Sequence, residues 1–224
     1  MTAANYVYQS IARATKDNGT TKMFGLMGDA NLFMVDSFVR DCGGDFIPAA
    51  HEGSSVLMAA AYAHISGQVG VATVTHGPAL TNCATALTEA ARAHAPLVIL
   101  AGDTPADNPR HLQSIDQRAV VKVTGAGFVQ LRTPETVAKD VAQAFYRAQV
   151  ERRPIVLNMP ADFMWQKAEY SAQVLDVFTT PGGAAEGDLL DNAIGMIASA
   201  RRPLILAGVG PFMPMINWCN WPID

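Results

Sequence analysis

Three short segments hold side chains of the kinds that bind ligands and move protons. Residues 25–31 read GLMGDAN, residues 49–55 read AAHEGSS, and residues 75–82 read THGPALTN. The first pairs Gly28 with the acid Asp29. The second sets His51 and Glu52, an imidazole and a carboxyl, at the start of a helical pattern. The third carries His76 before Gly77-Pro78, with Asn82 following. Imidazole and carboxyl groups are the side chains most suited to proton transfer near neutral pH. Each segment alone also has a plain reading. Gly28-Asp29 is a common turn, Glu52 is a favourable charge near a helix amino end, and His76-Gly77-Pro78 is a tight turn. The three together, in this order and each after an apolar run, point beyond turns.

Other chemistries find no pattern. His51-Glu52 lacks the second His of H-E-x-x-H, and there is no G-x-x-x-x-G-K-[ST] phosphate loop. No His/Cys group has zinc spacing, and no G-x-S-x-G elbow occurs. Gly208-Val209-Gly210 begins like a dinucleotide fingerprint, but Met213 stands where its third glycine belongs. His64 and His94 fall on helical patterns, as solvated or packed residues. Cys42, Cys83 and Cys219 form no C-x-x-C and read as reduced thiols of a cytosolic protein.

The elements that must position the three loops are legible from the apolar pattern. Strands are expected at 23–27, 46–49, 69–75, 97–101, 128–131, 155–159 and 204–207, and helices near 4–17, 31–41, 53–66, 80–94, 135–150 and 187–200. Several strands are continuous apolar runs, as parallel strands covered on both faces require. Thr133-Pro134-Glu135 is a helix start, a cap followed by Pro and an early acid. This alternation predicts a doubly wound α/β domain with a mostly parallel sheet. In such sheets ligands bind beyond the carboxyl ends of the strands, where all three loops would lie. The expected organisation is a first domain over 1–170, a polar linker over 171–186 containing Thr179-Thr180-Pro181-Gly182-Gly183, and the start of a second α/β domain over 187–224. From about Val209 the sequence loses periodicity and reads as a tail.

Composition narrows the partners. Half of the 224 residues are hydrophobic and 16% are charged, against roughly 25% in an average soluble domain. Either part of the surface is buried against another subunit, or an Ala-rich core dilutes the charge. The net charge of −4 argues against nucleic acid, whose phosphates need clustered Lys and Arg. Arg152-Arg153 and Arg201-Arg202 read as helix-end charges. The amino terminus lacks the basic start and apolar run of a signal peptide, and no apolar stretch nears the roughly 18 residues of a membrane span. A cytoplasmic protein is expected.

Taken together, GLMGDAN, HE, AYAHISG and HGPALTN, followed by APLVILAGDTP and LQSID, resemble the pyrimidine-binding domain of the acetolactate synthase, benzoylformate decarboxylase and oxalyl-CoA decarboxylase superfamily. The resemblance extends from residue 1 to about 208. It implies thiamine diphosphate as cofactor and Glu52 as the carboxyl that bonds the aminopyrimidine ring and helps the cofactor lose its thiazolium proton. That task needs a carboxyl able to share a proton near neutral pH. Burial favours the protonated form and the helix amino end opposes it, so burial is expected to dominate. The resemblance further places Pro78 and Asn82 near the pyrimidine, Gly28 at a close approach of the first loop to the cofactor, and Gln113 near the substrate channel. For each of these four, a turn or cap is the competing reading. His76 replaces the family's usual Ser, and Ala79-Leu80 replaces Gly-Ala. His76 either exchanges protons beside the cofactor or is a turn residue. These departures weigh against acetolactate synthesis and leave a decarboxylase or lyase open.

The resemblance also implies a homodimer or tetramer, a 2-oxo acid or acyl-CoA substrate, and Mg2+ held with the diphosphate by a separate carboxyl-terminal domain whose G-D-G motif is absent from this sequence. FAD, used by some family members, is left open. The expectation is therefore the amino-terminal part of a single-chain enzyme, truncated or frame-shifted and inactive alone. The alternatives are a subunit of a split decarboxylase and a non-catalytic binding or regulatory protein of the same fold.

Overall fold

Burial along the strands explains the apolar runs. In residues 97–101, Leu97, Ile99 and Ala101 pack into one core, while Val98 and Leu100 pack into the other. Ile155, Leu157 and Met159 join Val98 and Leu100, and Val156 joins the opposite side. A strand covered on both faces needs apolar side chains at every position. The computed structural model describes residues 5–105, 107–108, 110–176, 186–202 and 204.

The first elements in the chain are β1 (Asn5–Tyr6), α1 (Val7–Asp17), β2 (Lys22–Gly25), α2 (Leu32–Arg40), β3 (Asp45–Pro48) and α3 (Glu52–Ser66). Next come β4 (Gly70–Val74), α4 (Pro78–Thr81), α5 (Ala84–Arg92), β5 (Leu97–Asp103) and α6 (Gln117–Thr124). Then follow β6 (Gly127–Gln130), α7 (Val137–Glu151), β7 (Pro154–Pro160), β8 (Lys167–Ala168) and α8 (Asp188–Ser199). Six strands form a parallel sheet in the order β3-β2-β4-β5-β7-β6, and β1 pairs antiparallel with β8. Helices α1, α2 and α7 pack together over one face, and α3, α5 and α6 over the other. This is the doubly wound α/β fold expected from the sequence.

Phe38 and Phe145 are the largest side chains fully buried on the first face. On the second face small residues let a helix approach closely. A Cβ added at Gly70 would lie 2.2 Å from the carbonyl oxygen of Ala59 on α3. Arg132 forks onto the fully buried carboxylate of Asp140, which also accepts from the Arg132 backbone N–H and the Thr136 hydroxyl. That one carboxylate ties the entry of α7 to the end of β6.

The chain divides into two compact units, Met1–Phe178 and Thr179–Asp224. In the second unit α8 lies where a helix was expected. Residues 205–207 of the strand expected at 204–207, the segment Thr179–Gly183 and the tail from Val209 lie outside the described residues. Three features of the first unit differ from expectation. The helix expected at 80–94 is two helices, because Cys83 N–H bonds Leu80 O in a tight turn before Leu87 N–H bonds Cys83 O. The helix α6 and the short β1–β8 pair were not expected. Among the described residues no helix is long and apolar enough to cross a membrane.

Candidate active site

The strand order decides where a ligand can enter. From β2 the chain moves outward to β3, then returns to set β4 on the other side of β2. The connection leaving β2 leads to α2 on one face, and the connection leaving β4 leads to α5 on the other. Neighbouring strands whose exits diverge leave a crevice at their carboxyl ends. The loops at 25–31 and 75–82 border that crevice, and residues 49–55 enter from the neighbouring edge strand.

The first loop is pinned from below. Asn31, 1% exposed, accepts from Gly28 N–H at 2.7 Å and donates to Leu26 O at 3.2 Å and to the Thr73 hydroxyl oxygen at 3.1 Å. Thr73 in turn donates to Leu100 O at 2.8 Å. Two strands, β4 and β5, are thereby linked to one turn. A Cβ at Gly28 would lie 2.7 Å from Cβ of Thr75, so crowding by Thr75 requires a glycine there. The Thr75 hydroxyl donates to Asp29 at 3.1 Å.

The third loop touches both of the others. At its near end His76 is 2% exposed, with Nε2 3.5 Å from Asp29 Oδ1 and its ring 5.2 Å from that of His111. Its Nδ1 is buried with no hydrogen-bond partner among the described residues. At its far end Asn82 Nδ2 donates to Glu52 Oε2 at 2.9 Å. Pro78, exposed, begins α4 between them. Gln113 is half-buried, and its carbonyl oxygen lies 2.0 Å from where a Cβ on Gly77 would be.

Glu52 stands in the first turn of α3. His51 caps that helix by accepting from Gly53 N–H at 3.1 Å, and the Ser55 hydroxyl donates to Glu52 O at 2.6 Å. The carboxyl is half-buried. One of its oxygens is held by Asn82, and the other has no partner among the described residues. Beneath the pair lies Cys83, fully buried; burial first, and the nearby Glu52 charge second, push its thiol up to about 12. At pH 8 only about one such thiol in ten thousand is thiolate. Iodoacetamide at that pH is expected to leave Cys83 unmodified in the folded chain and to modify it after unfolding, as peptide mass mapping would show. Labelling of folded Cys83 at the rate of a free cysteine would contradict this environment.

Two residues passed over in the sequence prove to hold the region together. Gln117, 3% exposed, accepts from Gly77 N–H at 2.8 Å and donates to Gly102 O at 2.9 Å and to Asn158. Asn158, 1% exposed, donates to Asp103 at 2.6 Å and to Gln130 at 3.1 Å. The lone polar residue in the apolar run PIVLNMP was the available signal for Asn158.

The family model for the thiamine pyrophosphate enzyme N-terminal TPP binding domain matches residues 5–120, a span that takes in all three loops. The chain belongs to this family. Among thiamine pyrophosphate enzymes and their relatives, it is 33% identical over 201 residues to a sulfoacetaldehyde acetyltransferase of Castellaniella defragrans, covering 88% of this chain and 33% of that protein. It is 32% identical over 199 residues to the sulfoacetaldehyde acetyltransferase of Alcaligenes xylosoxydans xylosoxydans, covering 88% and 32%. With an acetolactate synthase of Bacillus subtilis strain 168 it shares 30% over 196 residues, covering 86% and 34%. The chain thus spans about a third of the length of these relatives. The residues fit the pyrimidine end of the family's cofactor: a carboxyl with one oxygen fixed and one free stands beside a crevice bordered by backbone and amide groups. Among the described residues no three His, Cys, Asp or Glu side chains gather where they could hold a metal ion.

Proposed function

We propose that this chain supplies the aminopyrimidine-binding half of a thiamine-diphosphate site, in which Glu52 bonds the ring nitrogen and exchanges a proton with it. The observation that carries this reading is the Glu52–Asn82 pair. The amide fixes one carboxylate oxygen and leaves the other to meet a ligand. Gly28, Pro78 and Asn82 border the pyrimidine, Gln113 faces the substrate side, and His76 offers an imidazole with an unpaired nitrogen for proton exchange. When bound, thiamine diphosphate supplies the carbon chemistry, and the protein orients it and tunes it. The diphosphate and Mg2+ are assigned to a domain that is not part of this chain. The whole enzyme acts on a 2-oxo acid in the cytoplasm as a dimer or larger assembly. Relatives named sulfoacetaldehyde acetyltransferase and acetolactate synthase favour transfer of an acetyl unit over simple decarboxylation.

Thiamine, which has the pyrimidine but no diphosphate, tests the half-site directly. In an NMR titration of the full chain it is expected to shift the signals of Glu52, Asn82 and the 25–31 loop, without need of Mg2+, and to lose at least about tenfold in affinity in Glu52→Gln. No shift at these residues would refute the assignment. Tight binding of thiamine diphosphate that requires Mg2+ would place a diphosphate site in this chain and overturn the half-site reading.

A further inference from the structure

We propose that Gln117 is a positioning residue for Glu52, acting through Gly77 and Asn82; this rests on the reading of Glu52 given above. The juxtaposition is a relay of fixed groups from Gln117 through Gly77 and Asn82 to Glu52. Gly77 adopts φ 60° and ψ −112° as the amino cap of α4, a conformation open to glycine and poorly to other residues. Two contacts select it. The Gln117 side chain accepts from the Gly77 N–H at 2.8 Å, and the Gln113 backbone lies against the glycine on the face where a side chain would stand.

From Gly77 the geometry propagates without slack. Its carbonyl accepts from Leu80 N–H at 2.9 Å and Thr81 N–H at 3.3 Å, and Pro78 O accepts from Asn82 N–H at 3.1 Å. A single turn of helix therefore connects the peptide gripped by Gln117 to the amide that grips Glu52. Gln117 is itself immobile, because its amide nitrogen donates to Gly102 O and to Asn158, and Asn158 is held in turn by Asp103 and Gln130. A buried amide satisfied at both ends is costly to turn. The carboxyl end of β5, the start of α6 and the middle of β7 thus set where the Glu52 carboxyl is held, although none of them touches it.

The test is made on the full chain with Gln117→Met, which keeps the side chain's length and removes both hydrogen-bonding ends. Hydrogen exchange at the Gly77 amide is expected to accelerate at least tenfold, and the side-chain signals of Asn82 and Glu52 to move. Gln117→Glu keeps an acceptor for Gly77 N–H but turns an oxygen toward Gly102 O and Asn158, where the amide donated, so exchange should accelerate by less than in Gln117→Met. Gln130→Ala removes one of the two acceptors of the Asn158 amide, leaves Asp103 to hold it, and should leave the Asn82 and Glu52 signals in place. Unmoved Asn82 and Glu52 signals in Gln117→Met, or equal movement in Gln130→Ala, would overturn the proposal. If Gln117→Met does not fold, the Glu variant decides, and faster Gly77 exchange in it with the Asn82 and Glu52 signals unmoved counts against the relay. Thiamine titrated into Gln117→Met should bind at least tenfold more weakly than to the parent chain. A parent chain that ignores thiamine would sink the role given to Glu52, while the Gly77 and Asn82 signals would still decide that of Gln117.

Discussion

Glu52→Gln, introduced into an enzyme assembled with all its domains, is expected to lower turnover by at least about a hundredfold, the low end of what a positioned acid–base group contributes. The substitution is nearly isosteric. The side-chain oxygen of glutamine still accepts from Asn82, as Glu52 Oε2 does at 2.9 Å. Its amide nitrogen then occupies the free position and offers hydrogens where a carboxyl would accept or share one. Binding geometry survives in outline, and proton exchange does not. The same change removes a negative charge that helps hold the Cys83 thiol up, so a modest fall in the pKa of Cys83 should accompany it. Steady-state kinetics with circular dichroism on the same preparation would check the prediction. Unchanged turnover in a folded variant would remove Glu52 from the mechanism.

Gly77→Ala is expected to cost about 3 kcal/mol of stability, from backbone strain and steric overlap together. The backbone sits at φ 60° and ψ −112°, and the new Cβ would fall 2.0 Å from the carbonyl oxygen of Gln113. A contact that short cannot be relieved by a rotamer change, because the obstructing atom is backbone. Residues 111–117 or the start of α4 must move, and either movement disturbs the hold on Glu52. In a domain of this size the cost corresponds to a fall of roughly 6–12 °C in Tm, which urea and thermal unfolding would measure. A variant as stable as the parent, with Asn82 still on Glu52, would show that the loop is more plastic than its packing implies.

Much of the fold was legible because β5 and β7 announce themselves as apolar runs, and a strand buried on both faces has no other way to read. The helix α6 was not legible from its interior. Its sequence QRAVVKVT holds three valines and a threonine, residues that favour strands by side-chain shape. Its ends were more telling: Asp116 accepts from Ala119 N–H as an amino cap, and Gly125 at φ 82° closes it. The break between α4 and α5 was hidden for a different reason. Asn82-Cys83 carries no glycine or proline, and the turn forms where Asn82 is drawn toward Glu52. Of the candidate site, Glu52 and His76 stood out by residue type, and Asn82 through the resemblance. Gln117 did not, because a glutamine in a polar stretch is ordinarily a solvated surface residue. Here tertiary contacts with Gly77 and Asn158 make it a buried one.

The order of the strands has a consequence for the time course of synthesis. In the finished sheet β6 pairs, among the described residues, only with β7, and β7 separates it from β5. During translation β6 emerges before β7. Through the interval in which α7 is made, β5 therefore carries an open edge, and β6 has no partner. An unpaired parallel edge of Leu, Val and Ile is where nascent chains stick to one another. Insertion of β7 closes both vacancies in one event, so acquisition of the native sheet waits on residues 154–160. Ribosome-stalled chains ending ahead of that strand should remain protease-sensitive across β6, and chains extended well past it should not.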